Sequence, residues 1–389
     1  MRLLVVGQSK DIIGGANRSL LDVISILRDK YHHEIFVISP GEGAFTDELK
    51  RMGIDYITVL YYQVSFVRMG DYKDPGRFIL AAKRDYDNSK IASTIVEKLE
   101  NRKFDLVYIN DTTNTIGYYI AKKLNIPFVW HFRGYNKNIK RYFFYERNFR
   151  ECDDGKCIAI SHAMKKYMVD VRKMSPKNIV VIHNGVTNSG VKIKQPWEES
   201  ITEGFHIVQC GHLSEAKGQR EAIYALAELK RRGYQDIYLH FAGSPLVAHR
   251  KSYEDILVDM VNKYSLNNQV IFEGEVKNMG ELRKLMQVEL MCSLAEPFGR
   301  VTVEGMQAGL VVIGCDTGAT PEIITDNVDG LLYHRGNIID LANKIESVYK
   351  DHKLGNRLSR EALLMTKEKF TMKKNVEEIN DLFADMGER

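Results

Sequence analysis

The stretch EPFGRVTVE, residues 296–304, sets two glutamates eight positions apart with Phe298, Gly299 and Arg300 between them. Two chemistries use such a pair: acid–base cleavage of a bond, or a clamp that holds a ligand. A hydrolytic pair works from opposite sides of one bond, with its carboxyls about 5–10 Å apart. Here Glu296 follows the apolar run VELMCSLA (288–295), and Pro297 breaks that run. Residues 301–308 have helical character, with Glu304 expected in about the first turn. Both glutamates therefore belong to one strand–loop–helix unit on one side of any ligand, and the spacing favours a clamp along an elongated molecule. The free N–H groups around Gly299–Thr302 suit a phosphate or sugar hydroxyls.

Three other segments pair a strand end with a loop and a helix start. GHLSEAKG (211–218) offers Lys217, a compact charge suited to a diphosphate, and His212 as a second donor. Alone, such a lysine reads better as solvated surface. Gly14-Gly15 lets backbone approach a ligand at a strand-to-helix turn, although an ordinary tight turn looks the same. DTGATPE (316–322) is a further loop of this kind. A fourth stretch differs: KNIKRYFFYERNFR (137–150) holds six charges, net +4, and five aromatics. If helical, it interleaves Lys/Arg with Tyr/Phe as an interfacial helix on an anionic membrane would; a helix docked on its own domain is the ordinary alternative. Nucleic-acid stacking ranks lower, because no recognised module surrounds it.

The elements behind these segments fall into two similar series. RLLVVG (2–7) and HIVQCG (206–211) each lead through a glycine loop into an amphipathic pattern, ANRSLLDVISILRD and QREAIYALAELKRRG. Short apolar runs follow in each half: HEIFVIS, FDLVYIN, PFVWHF, CIAIS and NIVVIHNG, then IYLHFAG, QVIFEG, VELMCSL, LVVIGCD and GLLYH. Buried parallel strands between helices read this way. The polar segment around 186–203 divides them. The expected fold is α/β, two Rossmann-like domains facing one another across a cleft, with ligands at the carboxyl ends of the strands. Neither opening loop is G-x-G-x-x-G and no G-x-x-x-x-G-K-[ST] occurs, which argues against a nicotinamide dehydrogenase and a P-loop nucleotidase.

Bulk properties narrow the partners. A chain of 389 residues fits two cores rather than one. No apolar run approaches the ~18 residues of a membrane span, and the N-terminus reads as a strand, not a signal peptide. The five cysteines are scattered and lack metal-like spacing, as expected of reduced thiols in a cytoplasmic protein. Residues 1–190 carry 30 Lys+Arg against 21 Asp+Glu, and residues 191–389 carry 25 against 30, so +9 faces −5. An anionic partner is expected for the basic half.

Taken together, these motifs resemble the retaining GT-B glycosyltransferases of family GT4, over nearly the whole chain. GHLSEAKG matches the family's G-R-L-x-x-x-K-G. Glu296 and Glu304 match E-P-F-G-x-x-x-x-E. DTGATPEI matches its second glycine loop, NVDGLLY the strand after it, and His183-Asn184-Gly185-Val186 its N-G-V. The ending FTMKKNVEEINDLF resembles a helix that crosses back to the first domain. The implied domains are 1–187 for the acceptor, a linker at 188–203, 204–366 for the nucleotide sugar, and the crossing segment 367–389.

The resemblance implies roles. Lys217 binds the donor diphosphate, with His212 beside it. Glu304 binds the ribose hydroxyls. Glu296, with the backbone of Phe298 and Gly299, holds the transferred sugar. The amides of Arg300 and Val301 and the Gly15 loop face the phosphates, and Val276 lies near the base. His131 and Arg133 serve the acceptor side, and Glu296, Lys217 and His131 are the catalytic candidates. The chain departs from the pattern at His212 for arginine, Ala319 for glycine and His131-Phe132 for His-Asp. The expected reaction is sugar transfer from a nucleotide-diphosphate sugar to a hydroxyl, without cofactor or metal. The expected acceptor is a sugar or lipid-linked saccharide, an envelope polymer precursor at the inner membrane face, with anionic lipid contact through 137–150 and no nucleic acid. A UDP-sugar 2-epimerase and a non-catalytic nucleotide-sugar binder are the alternatives.

Overall fold

The computed structural model describes residues 1–12, 15–64, 75–135, 154–187, 203–245 and 253–387. The basic–aromatic segment 137–150, Gly14 and the linker up to residue 202 lie outside them. Contacts divide the chain into two compact units, Met1–Gly185 with Met372–Arg389, and Val186–Thr371.

The first unit is built on seven parallel strands: β1 (Arg2–Val6), β2 (Glu34–Ser39), β3 (Asp55–Thr58), β4 (Leu106–Asn110), β5 (Phe128–Phe132), β6 (Gly155–Ala159) and β7 (Ile179–Val181). Their order is β3-β2-β1-β4-β5-β6-β7. β4 and β5 are buried throughout, as strands covered on both faces must be. The sequence reading missed β3. It is a four-residue edge strand with no fully buried position, so it has no apolar run to announce it. Leu3, Val5 and Tyr108 from the sheet meet Leu20, Ile24 and Leu27 from the helix Gly15–Asp29 in one core. The C-terminal helix Met372–Gly387 adds Val376, Ile379 and Phe383 to that same core.

The second unit has six parallel strands: β8 (Phe205–Cys210), β9 (Ile237–Ala242), β10 (Val270–Gly274), β11 (Val288–Met291), β12 (Val311–Cys315) and β13 (Leu331–Tyr333). Their order is β10-β9-β8-β11-β12-β13. In both sheets the order reverses beside the first strand of the unit, between β1 and β4 and between β8 and β11. Loops leaving a sheet at such a point diverge to opposite faces and open a crevice at the strands' carboxyl ends. Among the described residues no helix is long and apolar enough to cross a membrane.

Candidate functional site

In the second unit the crevice between β8 and β11 is lined by the two loops the sequence singled out. The chain leaves β8, makes a 3-10 turn at Glu215–Lys217 and enters the helix Gln219–Arg231 through Gly218. Gly218 has φ +70°, and a Cβ there would lie 2.0 Å from the carbonyl oxygen of Cys292. This contact locks the turn against the chain leaving β11. Leu294 N–H donates to the carbonyl of Ala216 at 2.9 Å, and Gln209 Nε2 donates to that of Lys217 at 2.7 Å. Lys217 is thereby aimed across the crevice, where its Nζ meets Glu296 Oε2 at 2.9 Å. Neither side chain is buried away; they are 30% and 15% exposed.

Glu296 is held from behind by the loop after β12. Ala319 N–H donates to the Glu296 carbonyl at 2.9 Å. Gly318, at φ +60°, packs so closely that a Cβ would stand 2.6 Å from both the nitrogen and the oxygen of Glu296. Ala319, where glycine was expected, has φ −88° and is fully buried, so alanine sits there without strain.

Gly299, at φ +97°, caps the helix Arg300–Gln307. Its preceding neighbour Phe298 turns inward, 2% exposed, against Phe370 at 5.6 Å between ring centroids. Only its backbone can meet a ligand. Arg300 and Val301 are the first two residues of this helix, so their N–H groups point out of its N-terminal end. Glu304 is the fifth helical residue, just past the first turn, close to where its spacing sets it. Arg300 Nε stands 3.9 Å from Glu304 Oε1. Val276 packs at the edge of a small cluster with Val301 and Leu310. His212 is exposed, and its carbonyl accepts Gln219 Nε2 at 3.1 Å.

Two residues near Glu304 escaped the sequence reading. Arg283, 5% exposed, makes a two-point pair with Glu289, whose side chain is fully buried: Nε to Oε2 at 2.9 Å and Nη2 to Oε1 at 3.1 Å. The same Nη2 reaches Glu304 Oε2 at 3.3 Å. A signal existed, since a carboxylate inside the apolar run VELM demands a cation.

The remaining candidates lie in the first unit. Gly15, exposed, begins the helix Gly15–Asp29. Arg133 donates from Nε to Asn110 Oδ1 at 2.6 Å, from Nη1 to Asn184 Oδ1 at 3.0 Å and from Nη2 to the Tyr108 hydroxyl at 3.4 Å. Asn110 also donates to the Ala16 carbonyl at 3.5 Å, so the unit brings Arg133 and the helix start together. His131 is enclosed, with Nδ1 2.6 Å from the Tyr108 hydroxyl and Nε2 buried without a partner among the described residues. Burial, and then the neighbouring Arg133, hold its pKa well below the usual histidine range. Sequence reading also missed Asp111 at the end of β4. It has φ +72°, its carboxylate accepts Gln8 Nε2 at 2.5 Å, and burial raises its pKa.

One Asp-x-Asp triplet, Asp85-Tyr86-Asp87, bears on a metal. It lies inside the helix Pro75–Lys98, where residues two apart point roughly 200° away from each other. Asp85 accepts the Tyr119 hydroxyl at 2.7 Å. The triplet cannot close on one ion.

Two family profiles match the chain in succession. That described as glycosyltransferase family 4 matches residues 13–189, and that described as glycosyl transferases group 1 matches residues 191–365. An uncharacterized glycosyltransferase of Methanocaldococcus jannaschii is 27% identical over 205 residues, 50% of each chain. The chain thus spans about half the length of the curated relatives it matches. Among solved structures, a glycosyltransferase of Rickettsia africae superposes with a TM-score of 0.79 at 19% identity, over 99% of this chain and 98% of that one. The Anabaena protein HepE, solved with UDP, superposes with a TM-score of 0.77 at 22% identity, over 99% of this chain and all of that one. At such identities the structures share the fold, two Rossmann-like domains of the GT-B kind.

Proposed function

The chain belongs to the glycosyl transferases group 1 family, and on that premise we propose that it moves a sugar from a nucleoside-diphosphate donor to a hydroxyl acceptor with retention of configuration. The observation that carries this reading is the Lys217–Glu296 pair at the β8/β11 switch point. A donor carries an anionic diphosphate next to a neutral, hydroxyl-rich sugar. Lys217 suits the first and Glu296 the second, so the donor separates the pair and each partner takes one end. The N–H groups of Arg300 and Val301 take phosphate oxygens, and Glu304 takes the ribose hydroxyls, with Val276 toward the base.

The reaction breaks the bond between the anomeric carbon and the phosphate oxygen, and its electron pair leaves with the diphosphate. The acceptor oxygen bonds the same carbon from the same face, and its proton passes to a donor phosphate oxygen. Lys217 and the helix N-terminus stabilise the charge that develops on the leaving group, so no divalent ion is assigned a role. The acceptor side is assigned to Arg133 and His131. Because His131 is enclosed, Arg133 is the one to meet the acceptor first. A lipid-linked saccharide or envelope polymer precursor fits the +9 carried by residues 1–190.

Release of nucleoside diphosphate across a panel of nucleotide sugars tests the reading, starting with UDP-sugars because the Anabaena neighbour was solved with UDP. Release that requires an acceptor and survives EDTA is expected. Release at the same rate without acceptor would point to epimerase chemistry, and full loss with EDTA restored by Mg²⁺ would overturn the metal-free assignment.

A further inference from the structure

We propose that Arg283, anchored by Glu289, is a positioning residue for Glu304 and thereby sets the preference for a ribose over a deoxyribose in the donor. The inference rests on the reading that Glu304 binds the ribose hydroxyls.

The geometry has three parts. Glu289 stands on β11 with no exposed side-chain surface, and its two oxygens take two nitrogens of Arg283. A bidentate pair of this kind fixes the plane of the guanidinium as well as its place. The remaining reach of Nη2 goes to Glu304 Oε2 at 3.3 Å, on a carboxylate 32% exposed. The inner ion pair is dry and the outer carboxylate is wet.

Gly305 lets the helix close onto this seat. A Cβ at that position would stand 2.4 Å from Glu289 Oε2. The residue next to the ribose-binding glutamate is therefore the one whose missing side chain admits the buried carboxylate. Helix Arg300–Gln307 and strand β11 approach each other at the Arg283–Glu289 pair, and Glu304 is the helix's contribution to it.

Stability alone is a weak reason for the arrangement, because a buried ion pair is often matched by apolar residues of similar volume. Orientation is a better one. Free glutamate samples many rotamers. With Oε2 held by Arg283, Glu304 keeps a fixed direction for Oε1 and for the free lone pairs of both oxygens, which accept from ribose hydroxyls. A structural role for Arg283 would affect every nucleotide alike. A positioning role would affect only those that carry the hydroxyls.

The test is the ratio of binding constants for UDP and 2′,3′-dideoxy-UDP, or the same pair of whichever nucleotide the donor panel returns, by calorimetry on the full chain. The wild type is expected to prefer UDP by about tenfold to a hundredfold, the worth of one or two hydrogen bonds to a charged group. Glu304→Gln should reduce that ratio. Arg283→Met with Glu289→Met, which leaves no unpaired buried charge, should bring it near one while dideoxy-UDP binds as before. Should that double variant fail to fold, Arg283→Lys, which can keep Glu289 but not both carboxylates in register, is read in the same way. A ratio that stays at the wild-type value in the folded Arg283 variant, with both nucleotides weakened equally, overturns the inference and leaves the ribose reading standing. A wild-type ratio of one, or a ratio untouched by Glu304→Gln, overturns the ribose reading itself.

Discussion

Gly318→Ala probes how Glu296 is held. Two penalties act at this position. The first is backbone strain: φ +60° is the left-handed region, and a Cβ there costs roughly 1–2 kcal/mol. The second is overlap: the new carbon would stand 2.6 Å from the Glu296 nitrogen and oxygen, and such overpacking costs about 1–3 kcal/mol more. Gly336→Ala separates the two. Gly336 has φ +76° with nothing within 4 Å of the added carbon, so it carries strain alone.

Differential scanning calorimetry should therefore show Gly336→Ala lowering the melting temperature of the second unit by about 2–8 °C and Gly318→Ala by about 4–20 °C, at roughly 2–4 °C per kcal/mol for a unit of this size. Activity should separate them further. To relieve the overlap, the Glu296 backbone must retreat by about half an ångström, and if a 1 Å misplacement costs roughly a hundredfold, turnover should fall about tenfold. Gly336→Ala should turn over normally. Equal melting temperatures for the two variants, or wild-type kcat in Gly318→Ala, would refute the claim that this loop fixes Glu296.

Lys217→Ala and Glu304→Ala should each reduce kcat/KM by about a hundredfold or more, an expectation from the loss of leaving-group and ribose contacts, while melting shifts stay small because partly exposed pairs contribute about 0–1 kcal/mol. His131 should make the first unit acid-sensitive. Its folded pKa lies below that of the unfolded chain, so the unfolded state binds the extra proton first and stability is lost as pH falls from about 6.5, at up to about 1.4 kcal/mol per pH unit. Urea titrations of the wild type and His131→Asn should diverge below that pH; parallel curves would remove His131 as the cause. Vesicle flotation should show binding to anionic but not neutral lipid that weakens with salt, and replacing the five basic residues of 137–150 by glutamine should abolish it.

Much of this was legible because α/β folds write their strands as apolar runs and their ligand loops directly after them. VELM, LVVIGC and HIVQC gave β11, β12 and β8, and the residues following each gave Glu296, Gly318 and Lys217. β3 was illegible because an edge strand with only half-buried positions needs no apolar run. Arg283 was legible only in part, because Glu289 inside VELM calls for a cation without saying which one. A short amphipathic helix carries arginines commonly, and nothing in the chain says that this one turns inward to Glu289 and then reaches Glu304 across 21 positions. His131 could be named from its motif, but that its ring is enclosed depends on the neighbours β4 and β6 bring beside β5.

The charges of the donor unit pose a final question of sign. The unit assigned to an anionic diphosphate, Val186–Thr371, carries 22 Lys+Arg against 25 Asp+Glu, a net of −3. Its site cations are already engaged: Lys217 with Glu296, Arg283 with Glu289 and Glu304, Arg300 near Glu304. Long-range attraction therefore cannot be what draws the donor in, and at physiological ionic strength charges beyond about 8 Å are screened in any case. What remains is exchange. Lys217 leaves one oxygen anion for another, and Glu296 leaves an ammonium for hydroxyl donors, while the backbone N–H groups that open the helix at Arg300 and Val301 add contacts to the phosphates. Exchange of this kind favours a donor that supplies both halves at once. A free diphosphate satisfies Lys217 but strands Glu296, and a free sugar does the reverse. The nucleotide sugar should therefore bind more tightly than its nucleoside diphosphate, and Glu296→Gln should reduce that advantage, since a neutral side chain does not need Lys217 in the empty site.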